Sequence, residues 1–170
     1  TFATPVALVS GDIGGAGDLD GDGHADVVSA SALSGMAWQR NTTGSGSLGS
    51  PSPIETAYTE FEALLLADLD ADGDQDVVMC DADLDEVVWY ENTDGQGAFG
   101  PRQVIDVAMP GVTALTAGDV NGDGDAEVFV ASATLNRIST YENLAYATGR
   151  VLGRVFNDIN GDGLFNGTDH

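Results

Sequence analysis

A chain of 170 residues with 28 acidic and five basic side chains carries a formal charge of −23, which argues against a nucleic-acid partner because phosphate contacts need clusters of Lys and Arg. An apolar fraction of 42% is enough for one packed domain, and the single cysteine, Cys80, excludes an intrachain disulfide. No apolar run approaches the roughly 20 residues of a membrane-spanning helix, so no membrane span is expected.

In chain order, Phe2 to Val9 reads first, as a short strand resembling the later stretch Phe99 to Val107. An acidic loop follows, Asp18-Leu-Asp20-Gly-Asp22-Gly-His24-Ala-Asp26. It recurs as Asp68-Leu-Asp70-Ala-Asp72-Gly-Asp74-Gln-Asp76 and Asp119-Val-Asn121-Gly-Asp123-Gly-Asp125-Ala-Glu127. A divergent fourth copy runs from Asp158 to Asp169, and the four loops hold 16 of the 28 acids. Carboxylates packed this densely are unfavourable unless a cation neutralises them. Alternate positions let side-chain oxygens converge on one point. Gly23, Gly73, Gly124 and Gly163 stand sixth, where an EF-hand-type loop turns sharply. Position seven then offers a backbone carbonyl and position nine a further carboxylate. All-oxygen ligation suits a hard cation, so three to four Ca²⁺ ions are expected. The competing reading, solvated acidic turns, is weakened by three copies in register.

The loop starts Asp18, Asp68 and Asp119 are spaced by 50 and 51 residues, and a second marker repeats every 51: Trp38-Gln-Arg-Asn41, Trp89-Tyr-Glu-Asn92, Thr140-Tyr-Glu-Asn143. Gly- and Ser-rich turns follow each marker. In the second repeat, Ala63 to Ala67, Asp76 to Cys80, Glu86 to Glu91 and Arg102 to Val107 read as four strands, rich in Val, Ile and aromatics. No stretch keeps a helical period. The expectation is an all-β fold of three four-stranded antiparallel propeller-like blades with calcium loops, forming an incomplete or open propeller. Phe2 to Val9 reads as a fourth strand of an earlier blade. The fourth strand of the third repeat is sought in Arg150 to Phe156 or elsewhere.

These residues resemble FG-GAP/VCBS repeats, the blade unit of integrin-type β-propellers, over about residues 1 to 145. The run D-x-D-G-D-G-x-x-D-[VI]-[VI] stands here as Asp18 to Val28, Asp68 to Val78 and Asp119 to Phe129, with the Trp-Tyr-Glu-Asn marker and Gly97-Ala98-Phe99 beside it. The resemblance implies calcium ligands Asp18, Asp20, Asp22, the His24 carbonyl and Asp26 in the first loop. In the second it implies Asp68, Asp70, Asp72, the Asp74 carbonyl and Asp76. In the third it implies Asp119, Asn121, Asp123, the Asp125 carbonyl and Glu127, with Asn121 and Glu127 departing from the family pattern. The tail resembles the opening of calcium-binding B-like repeats of serine-aspartate adhesins, with dockerin as the competing reading. Its loop would use Asp158, Asn160, Asp162, the Leu164 carbonyl, Asn166 and Asp169. Domain limits are placed at 1–148 for the repeats and 149–170 for the start of this calcium module. The chain reads as processed or excised from a longer protein.

Other residues are weighed against simpler roles. Cys80 reads as a buried structural thiol. Trp38, Trp89 and Tyr141 read as blade packing rather than a sugar-stacking platform. Asp81-Ala-Asp-Leu-Asp85 reads as a solvated hairpin, with a second ion as the alternative. Asn41-Thr-Thr43, in a turn expected to be exposed, is the better of two glycosylation sequons, Asn166-Gly-Thr168 being the other. There is no nucleophilic triad, phosphate loop or Cys/His zinc cluster, so no enzyme activity is expected. Two function classes remain. One is an extracellular or cell-surface structural and adhesive module whose partners are calcium, copies of itself or other surface proteins. The other is a glycan-binding propeller portion attached to a secreted enzyme.

Overall fold

The computed structural model describes residues 13–57 and 60–143 and a short strand at 155–156. Three sheets follow one another along the chain, each antiparallel throughout. The first is built from β1 (Ile13–Gly17), β2 (Asp26–Ser31), β3 (Gly35–Gln39) and β4 (Ser52–Glu55). The second contains β5 (Phe61–Ala67), β6 (Asp76–Asp81), β7 (Glu86–Tyr90) and β8 (Gln103–Asp106). The third contains β9 (Val112–Gly118), β10 (Glu127–Ser132), β11 (Arg137–Tyr141) and β12 (Val155–Phe156). Spatial order equals chain order in every sheet. The fold is all-β, with three open, propeller-like blades and no helix among the described residues.

The second blade matches the expected strands within two residues at each end. The fourth place of the third blade is filled by β12, whose Val155 and Phe156 pair with Tyr141 and Thr140. That position lies inside the stretch Arg150 to Phe156 where a fourth strand was sought. Phe2 to Val9 and the fourth loop, Asp158 to Asp169, lie outside the described residues.

Turn chemistry explains the hairpins. Gly35, Asp85 and Asn136 close the β2–β3, β6–β7 and β10–β11 turns with φ of 73°, 54° and 50°. Gly, Asp and Asn are the residues that tolerate this left-handed backbone best. β1 contains Gly14, Gly15 and Gly17, residues that ordinarily weaken a strand. Its glycines serve close approach instead. A Cβ at Gly15 would lie 3.0 Å from Leu64 of β5, and one at Gly17 would strike the Gln75 side chain.

The blades stack face to face, with β1 beside β5 and β5 beside β9. β6 is buried along its whole length because both of its faces are covered. Alternation sends Val77 and Met79 toward the first blade and Val78 and Cys80 toward the third. Leu19, Val28, Met36, Trp38, Val88 and Tyr90 complete the first interface; Leu69, Val87, Trp89, Val112, Val128, Val130 and Tyr141 complete the second. Each fully buried apolar side chain contributes about 2 kcal/mol by removal from water. Burial pushes the Cys80 thiol up to about 12, as expected of an inert structural cysteine.

Candidate metal centres

The three acidic loops join β1 to β2, β5 to β6 and β9 to β10, and thus repeat at the same corner of each blade. Their shape is held by local hydrogen bonds. In the first, Asp18 accepts from the Asp22 and Gly23 N–H groups at 3.2 and 2.9 Å, and Asp22 accepts from the His24 N–H at 2.9 Å. In the second, Asp68 accepts from Gly73 at 3.0 Å and Asp72 from Asp74 at 2.9 Å. In the third, Asp119 accepts from Gly122 and Gly124 at 2.6 and 3.2 Å, and Asp123 accepts from Asp125 at 3.1 Å. Side chains reaching the backbone two to five residues ahead curl the loop inward, and the sixth-position glycines Gly23, Gly73 and Gly124 take φ of 85°, 97° and 101°.

Convergence differs among the copies. One carboxylate oxygen from each of Asp18, Asp20 and Asp22 lies within 4.8 Å of the others, as does one from each of Asp68, Asp70 and Asp76. Asp72 stays exposed outside the second group. In the third loop no three carboxylates converge in this way. There Asn121 donates from its amide to Asp123 at 2.9 Å and to Glu127 at 3.3 Å. His24, at position seven, turns its ring Nδ1 to Asp22 at 2.9 Å.

The ninth-position acids are held by backbone. Asp26 is fully buried and accepts from the Leu19 N–H at 3.1 Å and the Asn41 N–H at 2.7 Å. Asp76 repeats this with Leu69 at 3.0 Å and Asn92 at 2.8 Å. Glu127 accepts from Val120 at 3.0 Å. These carboxylates therefore tie the second residue of each loop to the chain beyond it, and in the first two blades that tie reaches the marker Asn.

The charges lack compensation in the second loop. Burial, with the Asp72 charge next, pushes Asp70 up to about 6, and burial pushes Asp76 up to about 7. Burial and the neighbouring Asp72 and Asp68 also raise Asp74. Asp68 Oδ1 is buried with no hydrogen-bond partner. A donor set of carboxylate oxygens, one of them orphaned and two reluctant to ionise, fits a divalent cation.

The marker residues, recognised in the sequence only as a repeat, prove to be blade-to-blade ties. Asn92 Nδ2 donates to the Leu19 carbonyl of the preceding loop at 2.9 Å and to the Gln75 carbonyl of its own at 3.3 Å. Asn143 does the same with Leu69 and Ala126. Tyr90 donates its hydroxyl to Glu55 at 3.1 Å, and Tyr141 donates to Asp106 at 2.6 Å. The signal available in the sequence was that Glu55 and Asp106 share the 51-residue period.

Of the remaining readings, the sequon changes in one respect, while the aromatic packing and the Asp81 hairpin agree with expectation. The first sequon lies in an exposed turn at Thr42 and Thr43, but its acceptor Asn41 is buried, bonded to the Ala25 carbonyl at 3.1 Å and the Gly46 N–H at 3.2 Å. Trp38, Trp89 and Tyr141 are buried between blades. The acids of the Asp81 hairpin do not converge; Asp81 instead caps the turn, accepting from Asp83 at 3.0 Å and Leu84 at 3.2 Å.

A family model described as the FG-GAP-like repeat matches residues 18–79 and again 68–130. The chain belongs to the FG-GAP-like repeat family. Each matched copy opens on one acidic loop and closes on the strand after the next, so the sequence unit straddles two blades of the fold. Repeats of this family occur in extracellular repeat and adhesive modules and often bind calcium. No curated protein matches the chain. Among the described residues no helix is long and apolar enough to cross a membrane.

Proposed function

We propose that this chain is a calcium-stabilised, non-enzymatic structural and adhesive module of an extracellular or cell-surface protein. The observation that carries the reading is the second loop, where the carboxylates of Asp68, Asp70 and Asp76 converge and one Asp68 oxygen is buried without a hydrogen-bond partner. Asp68, Asp70 and Asp76 would hold the ion there, and Asp18, Asp20 and Asp22 would hold one in the first loop. Calcium would neutralise the acids and cross-link the ends of each loop. Because Asn92 and Asn143 tie neighbouring loops together, stiffening one loop also stiffens the seam to the next.

Head-to-tail association of copies accompanies this reading. Val120 and Ile138 are each 68% exposed on the third blade, whereas Leu69 and Val87, their counterparts in the second, are 0% exposed beneath the following blade. A further blade-like surface would cover them, and β12 leaves the sheet edge less open to an incoming strand. The glycan-binding alternative loses its aromatic platform to burial.

Thermal unfolding in calcium and in excess chelator tests the proposal. Binding to the folded state alone adds about 3 kcal/mol per site at a hundredfold excess over the dissociation constant. Chelator should lower the melting temperature sharply, and Mg²⁺ should restore it poorly because it demands a tighter octahedral site. Identical melting curves in calcium and chelator would defeat the reading. Sedimentation in calcium tests association, and a monomer at every concentration removes that part.

A further inference from the structure

We propose that Arg40 is a tethered counter-ion for the first acidic loop, which a divalent cation must displace in order to enter. The inference rests on the calcium reading above and concerns what distinguishes one loop from the next. Arg40 follows β3 and reaches over the loop. Its Nε pairs with Asp20 Oδ2 and its Nη2 donates to Asp22 Oδ2 at 3.1 Å. The Asp20 side chain is only 3% exposed and the Arg40 side chain 47%, so the guanidinium covers a buried acid from the solvent side.

Position by position, the first loop carries less negative charge than the second. Arg40 stands where the second and third blades carry Glu91 and Glu142. His24 stands where the second loop has Asp74, and Thr43 where the second blade has Asp94. The second-loop acids act on one another at close range: Glu91 helps to raise Asp70, and Asp94 helps to raise Asp74. In the first loop Arg40 works against this: burial and the Asp26 charge still raise Asp20, and the Arg40 charge opposes them. Against the push of burial, the His24 N–H and then the Arg40 and His24 side chains hold Asp22 below the usual carboxylate range. Three converging carboxylates facing a guanidinium need a divalent cation far less than a loop with Glu91 and Asp94 added to its own acids. Arg40 is one of only five basic residues in the chain, all of them arginine.

Two consequences separate this role from plain packing. The first loop should keep its shape without metal, and it should fill last as calcium rises. The test uses the full chain, stripped of metal, with calcium titrated calorimetrically into the unaltered protein, Arg40→Glu and Arg40→Gln. Arg40→Glu should tighten one site by at least about tenfold, since ligand charge count sets calcium affinity. Arg40→Gln should tighten the same site by a smaller factor. Adding Asp20→Asn should abolish the gained site, which assigns it to the first loop. The thermal effect should depend on calcium: both Arg40 variants melt lower than the unaltered protein in chelator, and no lower in saturating calcium. If every calcium constant stays within about twofold in both variants while Asp68→Asn still removes a site, this inference falls and the calcium reading stands. If no variant binds calcium, both fall. Equal destabilisation in chelator and in calcium also overturns the inference, because a structural contact behaves that way.

Discussion

Removing the Asn92 side chain tests whether the marker joins the blades. Asn92 is fully buried and makes three side-chain bonds: to the Leu19 carbonyl at 2.9 Å, the Gln75 carbonyl at 3.3 Å and the Gly97 N–H at 3.1 Å. In Asn92→Ala all three backbone groups lose that partner in a site closed to bulk water. At about 1 kcal/mol for each lost bond, the substitution should cost about 3 kcal/mol. For a domain of this size that lowers the melting temperature by about 9 °C. Asn41 supplies the internal control. It keeps the equivalent bonds to Ala25 and Gly46 but has no bond into a preceding blade among the described residues. Asn41→Ala should therefore cost about 2 kcal/mol, and the difference of about 1 kcal/mol measures the tie between blades. Urea unfolding in saturating calcium, followed by circular dichroism with both variants at matched m-values, makes the comparison. If the two variants cost the same, or Asn92→Ala costs less than Asn41→Ala, the inter-blade bond contributes nothing and the reasoning is refuted.

Asp70→Ala should reduce calcium stoichiometry, whereas Asp83→Ala should not, because Asp83 lies on an exposed hairpin whose acids do not converge; equal losses in a calcium titration would show the wrong acids were chosen. Tyr141→Phe should cost about 1 kcal/mol in urea unfolding, through loss of its bond to Asp106. The metal-free protein should also be more stable at pH 5 than at pH 7.5. Asp70 and Asp76 are raised to about 6 and 7 from 3.8, so the folded chain holds protons that the unfolded chain has released. That contribution is fully present below pH 3.8 and is lost as pH rises through 6 to 7. Melting temperatures in chelator across this range check it, and a rise with pH counts against it. Calcium affinity should move the opposite way, falling as protons compete for the same carboxylates.

Much of this protein is written in local pattern. The loops are legible because their turns depend on side chains reaching N–H groups only two to five residues away, with glycine where φ is positive. The strands of the second blade are legible because Val, Trp and Tyr cluster between Gly and Asp turns, and the 51-residue period exposes the repeated unit. What the local pattern leaves undetermined depends on neighbours far along the chain. The glycines of β1 give no strand signal by themselves; β5 and the second loop are brought against them, and the missing Cβ atoms at Gly15 and Gly17 are what allow contact. Asp26 looks like a further ligand until the N–H groups of Leu19 and Asn41, 7 and 15 residues away, take its two oxygens, whereas Asp76, held in the same way by Leu69 and Asn92, still converges with Asp68 and Asp70. Asn92 looks like punctuation until stacking carries the Leu19 carbonyl, 73 residues earlier, to its amide. Arg40 looks like a lapse in the marker until β3 delivers its guanidinium to Asp20 and Asp22. The sequence by itself determined the acidic loops, the strands and their period, because those are settled over a few residues by turn chemistry and alternation. Only the tertiary structure decided which acids stay free for a cation and which are committed to backbone, because that depends on which donors the stacked blades bring within 3 Å.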